Sequence, residues 1–118
     1  MLAALTLAAT VIAPTHLKLE AWTGADVPTA SSTAERYRLR VDGVPNARLV
    51  LRVDGLAPGW IAAFCTANYC SPMRVDVTLS AQGRAVYQFE LIREDSSADA
   101  HTNARVVSDD GASIFIKR

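Results

Sequence analysis

Residues 46–70 read N-A-R-L-V-L-R-V-D-G-L-A-P-G-W-I-A-A-F-C-T-A-N-Y-C, and their pattern decides the fold class. From Arg48 to Asp54 apolar and polar residues alternate, with Leu49, Leu51 and Val53 on one face and Arg48, Val50 and Arg52 on the other. A period of two marks a strand with one buried face. Gly55-Leu56-Ala57-Pro58-Gly59 then turns the chain, and Trp60 to Cys65 forms a second short apolar strand. Cys65 and Cys70 are the only cysteines. Their Cys-x4-Cys spacing is not the Cys-x-x-Cys of thioredoxin-like redox motifs, and two ligands alone do not close a tetrahedral zinc site. The expectation is a local disulfide, and with it an oxidising compartment.

The same alternation recurs on both sides. His16 to Trp22 places Leu17, Leu19 and Ala21 on one face, with Trp22 opposite them and exposed at an edge. A small, polar stretch with Gly and Pro follows over residues 23–34. Glu35 to Val41 turns Tyr37, Leu39 and Val41 inward and Arg36, Arg38 and Arg40 outward. Beyond the cysteines, Arg74 to Leu79 buries Val75, Val77 and Leu79. Ala85 to Ile92 buries Tyr87, Phe89 and Leu91. Residues 93–103 read as an exposed connection, and Asp109-Asp110-Gly111 is a hairpin signal between two last strands, Ala104 to Ser108 and Ala112 to Lys117. No segment holds a helical period. About seven short strands with frequent turns imply an all-β, two-sheet sandwich. Its predicted core is Trp60, Leu49, Leu51, Val53, Val75, Val77, Leu79, Tyr87, Phe89 and Leu91.

Half of the 118 residues are hydrophobic, enough to build one core, and no linker divides the chain. The 12 basic and 12 acidic residues cancel without a run of either sign. Nucleic acid demands a basic surface, so it is not an expected partner. Met1 to Ala13 is apolar but too short to span a bilayer, so no integral membrane span is expected. Residues 1–15 read as a signal-type or apolar amino-terminal segment lacking a positive leading region, with cleavage after Ala13 or Thr15, and residues 16–118 as the sandwich. The expected location is extracytoplasmic: periplasmic, cell-surface or secreted.

The runs L-V-L-R-V-D-G-L-A-P-G-W, V-T-L-S-A-Q-G-R-A-V-Y-Q-F-E-L and V-V-S give this pattern a family likeness. Over residues 35–108 the chain resembles bacterial extracytoplasmic immunoglobulin-like domains, similar to those beside carbohydrate-binding modules in secreted glycosidases. The resemblance implies an immunoglobulin-like sandwich and an accessory role in binding, adhesion or assembly. Some relatives carry a cysteine pair shortly after the tryptophan, as Cys65 and Cys70 stand here.

Catalytic chemistry finds little to use. The two histidines, His16 and His101, stand at the start and in a polar stretch, and neither is placed as the base of a nucleophilic triad. The protein is therefore expected not to be an enzyme and to need no cofactor. A blue-copper site is excluded because Cys70-Ser71-Pro72-Met73 has no histidine between cysteine and methionine. Asp109 and Asp110 with Asp99 offer hard oxygens to calcium, but adjacent acids in a turn are ordinarily solvated. Two features remain. Processing near Ala13 would leave His16 at or near a new amino terminus able to chelate copper, which makes a small copper-binding protein the alternative reading. Arg36, Arg38, Arg40, Arg48 and Arg52 form one cationic stripe if their strands pair, a face suited to an acidic glycan or protein partner. On a solvated face, Asp76, Glu90 and Glu35 would neutralise them.

Overall fold

The computed structural model describes residues 15–22, 34–94 and 103–116. They contain nine strands and no helix: β1 (His16–Ala21), β2 (Ala34–Asp42), β3 (Arg48–Asp54), β4 (Trp60–Cys65), β5 (Cys70–Pro72), β6 (Arg74–Thr78), β7 (Arg84–Arg93), β8 (Arg105–Ser108) and β9 (Ser113–Phe115). Two antiparallel sheets pack face to face, one ordered β1-β2-β7-β4-β5 and the other β6-β3-β8-β9. The protein is an all-β sandwich.

Alternation sets which side chains meet between the sheets. Leu39 and Val41 of β2, Ala62 and Phe64 of β4, and Tyr87, Phe89 and Leu91 of β7 face Leu49, Leu51, Val53, Val75, Val77 and Val106 of the opposing sheet. Trp60 closes one side of this core at 8% exposure, with the Arg93 guanidinium 5.1 Å from its ring centroid. Phe64 is the hub of the aromatic packing, 5.1 Å from Phe89 and 6.4 Å from Tyr87 between ring centroids. Such offset and edge-on pairs add to plain burial.

After β3 the chain crosses to the first sheet for the β4–β5 hairpin and returns for β6 before it enters β7. Met73 alone carries the return, in the left-handed region at φ 64°. Its N–H donates to Ala62 in one sheet and its carbonyl accepts from Val53 in the other, so this corner stitches the sheets together. Ser71 and Pro72, directly after Cys70, are part of β5. This strand is the one added to the eight segments marked by the sequence: three residues are too few positions to show alternation.

A second tie joins the sheets at the far side. The Thr15 N–H, just before β1, donates to Asp110 Oδ2 in the β8–β9 turn at 3.2 Å, and the Thr15 hydroxyl donates to the same oxygen. Burial pushes the Asp110 carboxyl up. Hydrogen bonds from Thr15, Ser108 and the Ala112 N–H outweigh that and hold it below 3.8.

Candidate functional site

The ladder register decides where the five outward arginines lie. β2 belongs to the five-stranded sheet and β3 to the four-stranded sheet, so the two strands do not pair. Arg36, Arg38 and Arg40 project from one outer face of the sandwich, Arg48 and Arg52 from the other. The single cationic stripe expected from sequence does not form. Consecutive alternating strands in a sandwich often cross between sheets, and the short Gly43–Ala47 connection carries the crossing here.

Several of these charges are already engaged. Arg40 Nε lies 3.0 Å and Arg84 Nε 2.7 Å from the Asp42 carboxylate. The hydrogen bond from Arg84 holds the Asp42 carboxyl below its ordinary value against the opposing effect of burial, and the charges of Arg84 and Arg40 add to the lowering. On the opposite face Arg52 and Arg105 share Asp54, and Arg74 stands 3.9 Å from Asp76. Arg48 borders a shallow groove of about 350 Å³ with Asp76, Thr78 and Asp109. Exposed pairs of this kind contribute little to stability, but they remove charge from the surface.

What remains is a patch on the outer face of the five-stranded sheet. The register sets Glu20, Arg38 and Gln88 in a row across β1, β2 and β7, and Arg36 beside Glu90. The Trp22 backbone N–H donates to the Arg36 carbonyl at 3.1 Å, which extends the β1–β2 pairing by one residue. Arg38 lies 6.0 Å from the Trp22 ring centroid. Trp22 is half-buried rather than exposed, because the strand edge continues past β1 along β2. Three nitrogens here, Trp22 Nε1 and Arg36 Nε and Nη2, are buried without a hydrogen-bond acceptor among the described residues. Buried donors are nearly always paired, and each one left unpaired costs about 1–3 kcal/mol. No ion pair forms between Arg36 and Glu90 although they face each other across the ladder.

Glu90 itself lies on this outer face yet is only 6% exposed. Gln88 Nε2 donates to its Oε2 at 2.7 Å. Sequence alternation placed Glu90 on the solvated side, among the acids expected to neutralise the arginines. The structure instead buries it beside Ala63, its partner across the β4–β7 ladder, and near Cys65. Cys65 and Cys70 face each other across the β4–β5 ladder, Cα atoms 4.0 Å apart, and form a disulfide.

The ten residues assigned to the core from sequence, Trp60 among them, are all buried. Phe64, buried completely, is the largest core residue missing from that assignment; its apolar neighbours on both sides hid the alternation. His16 is exposed at the start of β1 opposite Asp42, and residues 1–14, including the cleavage position after Ala13, lie outside the described residues. His101 and Asp99 lie outside them as well. The two turn acids are spent on the fold rather than gathered for calcium: Asp109 Oδ1 accepts from the Val50 N–H at 3.1 Å, and Asp110 binds Thr15. No described helix is long and apolar enough to cross a membrane.

The chain matches no protein-family model, no curated protein and no solved structure. Its function has to be read from its own surface.

Proposed function

We propose that this protein is a non-catalytic, extracytoplasmic binding module of immunoglobulin-like type whose ligand face is the outer face of the five-stranded sheet around Trp22, Arg36 and Arg38. The observation that carries the reading is the set of three buried nitrogens on Trp22 and Arg36 that lack an acceptor. Donors in that state favour a ligand rich in oxygen acceptors. Arginine forks onto carboxylates and sulfates, and an indole edge beside it offers an apolar surface for a sugar ring. An acidic polysaccharide combines both features. The disulfide supports the extracytoplasmic assignment, since such bridges persist in oxidising compartments.

The experiment is retention on an immobilised uronic-acid polysaccharide at low and moderate salt. Charge reversal at Arg38, and separately Arg36→Ala, should weaken retention by about tenfold or more, the loss expected of a charge-assisted contact. Charge reversal at Arg52, on the opposite face, should leave retention unchanged. Equal losses at Arg38 and Arg52 would reduce the effect to bulk charge and refute the assigned face. Absence of retention by the parent protein would refute an acidic glycan as the ligand.

A further inference from the structure

Glu90 presents a problem that the polysaccharide reading does not address. It is a carboxylate at 6% exposure with one amide donor, Gln88 Nε2, and no described cation paired with it. A charge removed from water is ordinarily matched by an opposite charge or by several hydrogen bonds. What Glu90 faces is sulfur. Its Oε2 lies 3.7 Å from Cys65 Sγ, which carries no hydrogen to donate while it is bridged to Cys70. One ligand atom from each of Cys65, Cys70 and Glu90 lies within 4.8 Å of the other two.

We propose that reduction of the Cys65–Cys70 disulfide opens a zinc site formed by the two cysteine sulfurs and the Glu90 carboxylate. A dithiol reductant delivers two electrons and two protons, the S–S bond breaks, and the reductant leaves as its own disulfide. Zinc then displaces both thiol protons, forms two Zn–S bonds and one Zn–O bond, and keeps a water as the fourth ligand. Two thiolates and a carboxylate suit zinc, which takes sulfur and oxygen ligands without a geometric preference of its own. In a tetrahedral site with Zn–S near 2.3 Å the sulfurs stand about 3.8 Å apart, a separation that side-chain rotation provides to facing residues of adjacent strands.

The surroundings complete the site. Gln88 Nε2 donates to Glu90 Oε2, the oxygen that faces Cys65 Sγ, and so orients the carboxylate beside the sulfurs. Cys65 is buried at 5% exposure, whereas Cys70 and residues 66–69 are exposed, so reductant and metal have one open approach. β5 is a three-residue edge strand, and the pairing that zinc would replace is short. Oxidised, the group is a structural clip. Reduced, it is a trap for a thiophilic divalent ion, with Glu90 neutralised by the metal that its buried position lacks.

Cobalt(II) is the probe, because thiolate ligation gives near-ultraviolet charge transfer and tetrahedral coordination gives intense visible bands. Fully reduced protein, titrated anaerobically, should take up one cobalt per chain with both signals, and one zinc should displace it. The oxidised protein should show neither. Glu90→Gln keeps the size of the side chain and should weaken zinc binding by at least about tenfold while thiolate charge transfer persists. Unchanged affinity in Glu90→Gln would reduce the site to a bare dithiol and overturn the proposal, as would reduced protein that takes up no cobalt. Where reduction alone unfolds the chain, far-ultraviolet circular dichroism decides. Zinc that restores the β signal supports the site, and zinc that leaves the chain unfolded refutes it.

Discussion

Replacing Gly83 by alanine tests how the ends of the sandwich are closed. Gly83 lies buried in the β6–β7 turn with φ +77°, and a Cβ built on it would stand 2.2 Å from the Gly43 carbonyl oxygen. Gly43 belongs to the β2–β3 connection, so the two turns that carry the chain between sheets at this end touch backbone to backbone. They are also bonded, since the Gly43 N–H donates to the Gly83 carbonyl at 2.8 Å. Alanine meets two costs. The left-handed conformation disfavours any residue with a Cβ by about 1–2 kcal/mol. Relief of the clash requires the Gly43 carbonyl to withdraw by about 1 Å, which strains or breaks the Gly43–Gly83 hydrogen bond at a cost of about 1–3 kcal/mol. The sum is roughly 2–5 kcal/mol, a large share of the total stability of about 5–15 kcal/mol for a domain this size. Gly111 supplies the control. Its φ is +99° but nothing lies within 4 Å of the position its Cβ would take, so Gly111→Ala meets only the conformational cost. Urea unfolding followed by tryptophan fluorescence should place Gly83→Ala about 1–3 kcal/mol below Gly111→Ala. Asparagine, which tolerates the left-handed region, should recover most of the loss at Gly111 and little at Gly83. Equal effects of alanine at the two positions would refute the backbone contact.

Phe64→Ala removes the hub of the aromatic core and should cost about 3–5 kcal/mol in the same assay, whereas Phe115→Ala, at 56% exposure, should stay within about 0.5 kcal/mol. Loss of the disulfide in a Cys65→Ser, Cys70→Ser double variant should cost roughly 2 kcal/mol, the loop entropy of so short a closure, measured by urea midpoint. Asp110→Ala should destabilise at neutral pH by about 1 kcal/mol through loss of the Thr15 contacts. Because the folded carboxyl is held below 3.8, that contribution is present above the unfolded pKa and fades as pH falls through the folded one. Thermal melts at neutral and at acid pH should therefore converge for parent and variant at the acid end; a constant gap would refute the ionic role. Charge reversal of Arg84 should remove the lowering of the Asp42 carboxyl, read by NMR titration, with the shift shrinking in high salt.

Much of the fold was legible in residues 35–92 because one buried face per strand leaves a period of two. Arg48–Asp54 and Trp60–Cys65 have in the structure the bounds that alternation and the Gly/Pro corner mark. The failures have a common cause. Alternation says which face of a strand is apolar but not which sheet the strand joins, so Arg36 and Arg52 look alike in sequence and stand on opposite sides of the molecule. Likewise Trp22 and Glu90 occupy polar-side positions yet are half-buried and buried, Glu90 beside Ala63 of the neighbouring strand.

The sequence by itself determined the strand-rich class, the inward residues of each strand and the pairing of the only two cysteines. These depend on local periodicity and on short separations along the chain, which the residues carry with them. Tertiary structure alone decided the partition of strands between sheets, the return of the chain through Met73, and the company of Glu90. Each of those depends on contacts across long separations, where a one-residue change of register or sheet leaves the local pattern intact and moves every charge on it.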